Sequence, residues 1–195
     1  MREAIVPLVA TGVLAFVVHR WAADELGRDR RLSPGGAAAA LSLVLLHAML
    51  VCVAALGGVL AFDAPADIVL PLGLGFGSAG ALVALLALRA LGTRDRVLGM
   101  RTDVVVQHGP YRFARHPMYL GWTVALLGIA LAGRSLLGLA LVLLLALALV
   151  RIARGEERLL SEELGEAYDQ YRHVARAVVG RGRRPPPEPA EAPSG

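Results

Sequence analysis

The stretch that decides the fold is residues 117–150, which read PMYLGWTVALLGIALAGRSLLGLALVLLLALALV. Its only charged side chain, Arg134, lies in the segment 132–135, which divides the stretch into apolar runs at 117–133 and 135–150. Apolar runs that approach about 20 residues are typical of helices that enter a bilayer. Because the connecting segment is so short, the two runs are predicted to form an antiparallel helical hairpin.

Three more apolar stretches precede this hairpin, at about 4–19, 37–62 and 67–91. Hydrophobic residues make up 56% of the 195 residues and the mean hydropathy is +0.58, whereas soluble domains contain about 45–50% apolar residues. The apolar residues are mostly Ala, Leu and Val, which together with Gly favour helices that pack closely in lipid. We therefore predict an all-α polytopic integral membrane protein with about five transmembrane helices.

The charges between these stretches predict the orientation of the chain. The net charge is +4, and the basic residues are all arginines because the sequence contains no lysine. They concentrate in the loops before the second and fourth stretches, at 20–31 and 94–115. Cytoplasmic loops carry such an excess of positive charge, so we predict a cell-membrane protein with its N-terminus outside and these loops in the cytoplasm. Arginines between apolar spans indicate membrane lipids, and not nucleic acid, as partners.

The chain becomes charged after the hairpin. Between residues 155 and 176, apolar side chains recur at helical spacing among acidic and basic ones, which predicts an amphipathic helix on the cytoplasmic face. Residues 181–195 are rich in Pro, Arg, Glu and Ala and are predicted to form a disordered tail. Residues 1–180 are expected to form a single membrane domain.

Two polar clusters flank the hairpin. The segment 109–119, which reads GPYRFARHPMY, comes immediately before its first apolar run. A second polar group follows the hairpin and consists of Arg151, Arg154, Glu156 and Glu157. A hairpin returns the chain to the membrane face from which it started, so both clusters are predicted to meet there. Together they make the best candidate for a functional site in the sequence.

The ordered run of these motifs resembles one family. Segment 109–121, the apolar hairpin, Arg151 with the pair Glu156-Glu157, and then the pattern Gly-x-x-Tyr-x-x-Tyr at 165–171 are similar to the isoprenylcysteine carboxyl methyltransferase family. Related phospholipid methyltransferases share much of the run. The resemblance covers about residues 89–180 and implies a membrane enzyme that uses S-adenosylmethionine. It places the cofactor in a cytoplasmic pocket between the last two spans and the C-terminal helix.

The same resemblance implies roles for individual residues. Carried over by position, the cofactor contacts are Asp103, Val104, Val105, Val106, Tyr111, His116, Pro117, Met118, Tyr119 and Glu156 or its neighbour Glu157. An arginine would face the acceptor, for which Arg151 is the best positional match and Arg154 the second. At Asp103 this chain departs from the histidine that is common in eukaryotic members.

The chemistry of these side chains is compatible with such a cofactor. S-adenosylmethionine carries a sulfonium, a carboxylate, an amine and an adenine ring, so its pocket needs acceptors, donors and a stacking surface. The glutamates suit the amine, the tyrosines suit the ring or the sulfonium, and the carboxylate could bind Arg112, Arg115 or His116. No metal is predicted, because the histidines have no Cys or clustered carboxylates at ligand spacing.

The acceptor is predicted to be a lipophilic small molecule or a lipid-attached group, and three interpretations stay open. The first is carboxyl O-methylation of an isoprenoid-type or prenylcysteine-like carboxylate, which needs no general base and would suit a bidentate arginine. The second is N-methylation of a phospholipid amine, which needs a base, for which His116 or Glu157 is the candidate. The third is a non-enzymatic transporter or accessory protein on the same scaffold.

Some conspicuous residues are interpreted as structural. Residues 75–80 match Gly-x-Gly-x-x-Gly, but no βαβ pattern surrounds them, so Gly73 and Gly77 are interpreted as sites of close helix packing. Tyr168 and Tyr171 are assigned to packing. His47 lies inside the second apolar stretch, where an ionisable side chain is a functional candidate, and a neutral hydrogen-bonded histidine between helices is an equal interpretation.

Overall fold

The computed structural model describes residues 34–93 and 105–175, together with Ala10 and Val17. The predicted first span at 4–19, apart from those two residues, lies outside this part of the chain. So do Asp103, Val104 and the predicted tail at 181–195. Within the described residues the protein is helical and contains no strand, so the all-α prediction is confirmed there.

Five α-helices and one 3-10 turn make up the described part of the chain. In chain order they are α1 (Pro34–Leu56), α2 (Ala66–Leu91), the 3-10 turn (Gly109–Arg112), α3 (Pro117–Ala132), α4 (Leu136–Leu164) and α5 (Glu166–Val174). Two of these, α2 and α4, are long and apolar enough to cross a membrane, while α3 and the Val44–Leu56 part of α1 are shorter apolar helices. The total of about five spans stays a prediction.

Two predicted boundaries differ from the structure. The second stretch, predicted to run from 37 to 62, ends as a helix at Leu56, and Gly58 then adopts a φ of 57° in a turn. The predicted break between the hairpin at 150 and the amphipathic helix at 155 is wrong, because α4 continues without interruption to Leu164. Arg, Glu, Leu and Ala are good helix formers, so the change to charged residues marks a change of surroundings and not the end of the helix.

The predicted amphipathic helix at 155–176 is instead divided at Gly165. This residue ends α4 and precedes α5 with φ 51° and ψ −126°, a conformation that is open mainly to glycine. The turn folds α5 back, so that Tyr168, Tyr171 and Ala175 pack against Val105, Leu160 and Leu164. The Tyr171 hydroxyl also donates a 2.8 Å hydrogen bond to the backbone oxygen of Tyr111.

Glycines hold α2 and α3 in close contact. A Cβ on Gly73 would lie 2.7 Å from the backbone oxygen of Gly128, so the predicted packing role of Gly73 is confirmed. A Cβ on Gly77 would lie 3.9 Å from the nearest backbone atom, in Ala125. Gly77 thus contributes its backbone to the contact, and its own missing side chain is not needed.

Helix α1 packs against α4 on the other side of the bundle. His47 is buried at their contact, where its Nε2 atom lies 2.9 Å from the backbone oxygen of Leu141. The structure thus agrees with the interpretation of a hydrogen-bonded histidine between helices. At the end of the hairpin, the buried Ser135 hydroxyl donates to the backbone oxygen of Val59 and accepts from the Gly138 amide, which fixes the start of α4.

Candidate active site

The 3-10 turn brings the first polar segment under α5. Gly109 begins the turn with a φ of 59°, and Tyr111 is buried at its centre with 8% exposure. The backbone oxygen of Tyr111 is held by Tyr171, as described above. The guanidinium of Arg112 lies 5.0 Å from the ring centre of Phe113, and both residues are exposed. The turn therefore buries its tyrosine and presents its arginine to solvent.

His116 stands at the N-terminus of α3 and is buried, with 8% exposure. Pro117 follows as the first helical residue, a position that favours proline because no backbone N–H is needed there. The imidazole faces two carboxylates of α4: its Nδ1 atom lies 3.4 Å from Oε2 of Glu156, and its Nε2 atom lies 3.3 Å from Oε1 of Glu157. The histidine thus lies between the two neighbouring acidic residues.

Arg115 and Tyr119 complete the contacts across the hairpin. The Arg115 guanidinium lies 2.8 Å from Oε2 of Glu157, and the Tyr119 hydroxyl donates a 2.5 Å hydrogen bond to Oε1 of Glu156. The rings of His116 and Tyr119 are stacked, with 5.5 Å between centres and 2° between planes. We refer to Arg115, His116, Tyr119, Glu156 and Glu157 as the hairpin cluster.

The hairpin cluster holds a balanced set of charges. Burial lowers the pKa of His116, but the hydrogen bonds and negative charges of Glu156 and Glu157 outweigh it and raise the pKa to about 9. An imidazole with this pKa is positively charged at neutral pH. Two cations, Arg115 and His116, then face two anions. The cluster can therefore accept a ligand that carries one charge of each sign without a net excess of charge.

The structure brings together some of the predicted site residues and separates others. His116, Tyr119, Glu156 and Glu157 meet directly. Pro117 is buried beside them and Met118 is half-buried at the start of α3, while Val105 and Val106 are half-buried, and Val105 packs against α5. Their roles toward a cofactor stay predictions.

The two predicted acceptor-facing arginines lie on α4, close in sequence to Glu156 and Glu157. Arg151 and Arg154 are exposed on α4. At about 100° per residue, Arg151 lies about 120–140° around the helix axis from the two glutamates. By the same measure Arg154 lies about 60° from Glu157 but about 160° from Glu156. Both are on the stretch of α4 that carries the cluster, but on a different face of it.

Two residues of the site were not given their structural role by the sequence. Arg115 was considered only as a partner for a ligand carboxylate, yet it binds Glu157. Tyr168 was assigned to packing, yet its hydroxyl is buried without a hydrogen-bond partner among the described residues. The positions of Arg115 and Glu157 on either side of the hairpin indicate that they lie at the same level, but their pairing also depends on how the two arms are rotated.

The residues of the cluster fit the cofactor that the sequence implies. Carboxylates suit an amine, a tyrosine and a histidine ring offer stacking surface, and cationic donors suit a carboxylate. Buried polar atoms at the site also have no hydrogen-bond partner among the described residues, including Nε of Arg115 and the hydroxyl of Tyr168. Buried donors usually have partners, so these atoms fit a site that receives a polar ligand. Among the described residues, no group of three or more His, Cys, Asp or Glu side chains is arranged to hold a metal ion.

Comparison with known proteins gives the family. No curated protein and no solved structure matches the chain. A family model described as phospholipid methyltransferase matches residues 68–167, which is just over half of the chain. The match begins in α2, includes the whole hairpin cluster and ends in the first turn of α5. The chain therefore belongs to the phospholipid methyltransferase family, which comprises membrane methyltransferases related to the isoprenylcysteine carboxyl methyltransferases.

Proposed function

We propose that this protein transfers a methyl group from S-adenosylmethionine to a lipophilic acceptor, and that the hairpin cluster binds the amino-acid end of the cofactor. The observation that carries the proposal is the position of His116 between Glu156 and Glu157, with Tyr119 bonded to Glu156. This arrangement joins both arms of the hairpin in one buried polar site next to apolar helices. An enzyme that acts on lipids needs such a polar site at the edge of the membrane.

Each residue has a role that follows from its charge and position. Glu156 is the more exposed of the two glutamates, at 28% against 19% for Glu157, and its carboxylate is placed to accept from an ammonium group. Tyr119 orients that carboxylate through its hydroxyl. Arg115 holds Glu157 in place, and His116 supplies a positive charge between the two. When bound, S-adenosylmethionine supplies an electrophilic methyl group on a sulfonium.

Positioning is the main contribution that these residues can make to methyl transfer. The reaction is an in-line displacement in which a charged sulfonium becomes neutral, so alignment and exclusion of water lower its barrier. Tyr111, Tyr168 and Tyr171 are all buried. Tyr171 links the other two, through ring contact with Tyr168 and a hydrogen bond to the backbone of Tyr111, and we propose that these buried rings limit the access of bulk water to the site.

For the acceptor we propose a carboxylate of isoprenoid or prenylcysteine type, which would be O-methylated. A carboxylate needs no base, and the cluster offers no obvious base. His116 has a pKa of about 9 and is therefore protonated at neutral pH, and Glu157 is bound to Arg115. Arg151 is proposed to align the carboxylate, with Arg154 as the second candidate, since both are exposed on the stretch of α4 that carries the cluster.

The second candidate is N-methylation of a phospholipid amine. The description of the matching family as phospholipid methyltransferase favours it. This reaction requires that a protonated amine lose its proton before attack. Glu157 would have to release Arg115 to serve as the base. The two acceptors differ in the bond that is formed, and that difference can be measured.

The decisive experiment uses purified protein in detergent, S-adenosylmethionine labelled in the methyl group, and a total lipid extract. A carboxyl methyl ester releases the label as volatile methanol in alkali, whereas a methylated amine retains it. Volatile label supports the carboxylate acceptor, and alkali-stable label in a phospholipid supports the amine. Calorimetry with S-adenosylhomocysteine tests the cofactor separately. Folded protein that shows no saturable binding would contradict the proposal and favour a transporter or accessory protein.

Variants separate cofactor binding from acceptor alignment. We expect Glu156→Gln to weaken S-adenosylhomocysteine binding by about tenfold or more, because a charge-assisted hydrogen bond is lost. We expect Arg151→Ala to leave that affinity unchanged and to lower turnover. Arg158→Ala is the matched control, since Arg158 is also exposed on α4, two turns further along the helix. Equal effects of Arg151→Ala and Arg158→Ala on turnover would remove Arg151 from the proposed site.

A further inference from the structure

Tyr168 carries a buried hydroxyl that the packing of α5 does not use. The residue is 1% exposed, and its oxygen has no hydrogen-bond partner among the described residues. A buried hydroxyl without a partner destabilises a protein relative to a phenylalanine of the same shape. Tyr171, one turn along the same helix, bonds its hydroxyl to Tyr111. The contrast indicates that packing explains the ring of Tyr168 but not its hydroxyl.

Arg115 has a similar unused donor. Its side chain is 8% exposed, and one terminal nitrogen binds Glu157 at 2.8 Å. Its Nε atom is buried and has no partner in the described parts of the chain. A guanidinium normally uses several of its five donors when it is buried, so one donor direction of Arg115 is open to a ligand.

These two unused donors belong to one electrostatic environment. The pKa of the Tyr168 phenol is raised first by burial and then by the negative charge of Glu157, while the positive charge of Arg115 opposes the rise. Tyr168 also packs in one cluster with Leu160, which lies one turn after Glu157 on α4, so packing too places the phenol near the ion pair between Arg115 and Glu157. Helix α5 reaches this position because Gly165 folds it back against Leu160 of α4.

We propose that the Tyr168 hydroxyl and the Nε atom of Arg115 form an anion subsite, which receives the acidic oxygens of a zwitterionic ligand bound by the hairpin cluster. This inference rests on the proposed function and assigns Tyr168 a role in ligand binding. Both groups are donors, so they suit an acceptor such as a carboxylate or a phosphate. The positive charge of Arg115 disfavours an ammonium group here, and that group is left to Glu156.

The charges of the cluster support a zwitterion over a simple anion. Arg115 and protonated His116 are balanced by Glu156 and Glu157, so a lone anion would leave a buried excess of negative charge. A ligand with an ammonium and an anion adds no net charge. Its ammonium is a partner for the glutamates, and its anion is a partner for the cationic side chains. The amino-acid end of S-adenosylmethionine has this chemistry, and so does the headgroup of phosphatidylethanolamine. The shared feature is an acidic oxygen a few bonds from an ammonium.

The test is Tyr168→Phe in the full chain, with Tyr171→Phe as the contrast. The first change removes an unpaired hydroxyl, so the melting temperature of the ligand-free protein in detergent should stay the same or rise. The second removes a hydrogen bond that is made, so the melting temperature should fall. Affinities for S-adenosylhomocysteine and for dihexanoyl phosphatidylethanolamine are then measured by calorimetry on wild type and Tyr168→Phe.

The results distinguish the two sources of the anion. A loss of about tenfold in affinity for S-adenosylhomocysteine identifies the cofactor carboxylate as the occupant. An unchanged affinity for this ligand with weaker binding of the phospholipid identifies the phosphate. Arg115→Lys keeps the charge opposite Glu157 but lacks Nε, and it should weaken the same ligand as Tyr168→Phe.

Two results would overturn the inference. The first is a Tyr168→Phe protein that binds both ligands as wild type does. In that case the proposed function stands, because wild type still binds S-adenosylhomocysteine. The second is a ligand-free Tyr168→Phe protein that melts several degrees below wild type, since the hydroxyl would then have a partner in the protein. If wild type binds neither ligand, the proposed function fails together with the subsite.

Discussion

The hydroxyl of Tyr119 on α3 donates a 2.5 Å hydrogen bond to Oε1 of Glu156 on α4, although 37 positions separate the two residues in the chain. The bond crosses the open end of the hairpin, opposite the turn that Ser135 fixes. It therefore holds the two arms of the hairpin together at the point where the polar site begins.

Replacing this hydroxyl tests the role of the bond. We expect Tyr119→Phe to lower the free energy of unfolding by about 1.5–3 kcal/mol, the usual contribution of a hydrogen bond to a charged group. The melting temperature in detergent measures the effect. Thr123→Val is the matched control, because the Thr123 hydroxyl donates to the backbone oxygen of Tyr119 one turn earlier on the same helix and not across the hairpin. Equal shifts for the two variants would show that the bond across the hairpin adds nothing to stability.

The ion pair between Arg115 and Glu157 leads to a second prediction. Both side chains are largely buried, at 8% and 19% exposure, so Glu157→Gln leaves a guanidinium without its counter-charge. We expect a loss of about 2–4 kcal/mol in the free energy of unfolding, because an unpaired buried charge is expensive. Glu166→Gln changes an exposed glutamate on α5 and should alter stability by less than about 0.5 kcal/mol. Denaturation of both variants in detergent decides between a structural pair and an incidental contact.

The meeting of the two polar clusters could be predicted from the sequence because a hairpin with arms of similar length must return to its starting level. That argument places His116 near the start of α3 opposite the part of α4 that contains Glu156 and Glu157. It needs only the lengths of two apolar runs and the position of one turn.

Other features depend on information that no apolar pattern carries. The continuity of α4 past Arg151 could not be predicted from hydropathy. Hydropathy falls in the same way where a helix leaves the lipid and where a helix ends. The pairing of Arg115 with Glu157 requires the rotation of both helices about their axes. The unpaired hydroxyl of Tyr168 depends on how Gly165 turns the chain, which composition does not specify.

The pKa of His116 predicts how stability depends on pH. The pKa of the imidazole is raised from 6.5 in the unfolded chain to about 9 in the folded protein. The folded state therefore binds the proton more tightly. Its contribution to stability is fully present below about pH 6.5 and is lost as the pH rises toward 9. We expect the melting temperature of wild type to fall across this range. His116→Gln should melt at a lower temperature at pH 6.5 and show a smaller decline, and parallel curves for the two proteins would contradict the assignment.

Helices α2 and α3 approach each other so closely that backbone faces backbone. A Cβ on Gly121 would lie 2.7 Å from the backbone oxygen of Gly80 and 2.5 Å from the amide nitrogen of Ala84. Backbone atoms cannot rotate away as a flexible side chain can, so the helices would have to separate. Their separation would also shift the start of α3, where His116 and Tyr119 lie.

Gly121→Ala is therefore expected to affect both stability and the site. We expect a loss of about 2–3 kcal/mol or more in the free energy of unfolding, with weaker binding of S-adenosylhomocysteine because the hairpin cluster is displaced. Gly77→Ala is the control on the same helix contact, since its added Cβ would lie 3.9 Å from the nearest atom, an ordinary contact distance. Its melting temperature should be close to that of wild type or slightly higher, because alanine is the better helix former. If both variants melt alike, the close approach of α2 and α3 does not exist in the membrane protein, and the placement of His116 by this helix pair would have to be abandoned.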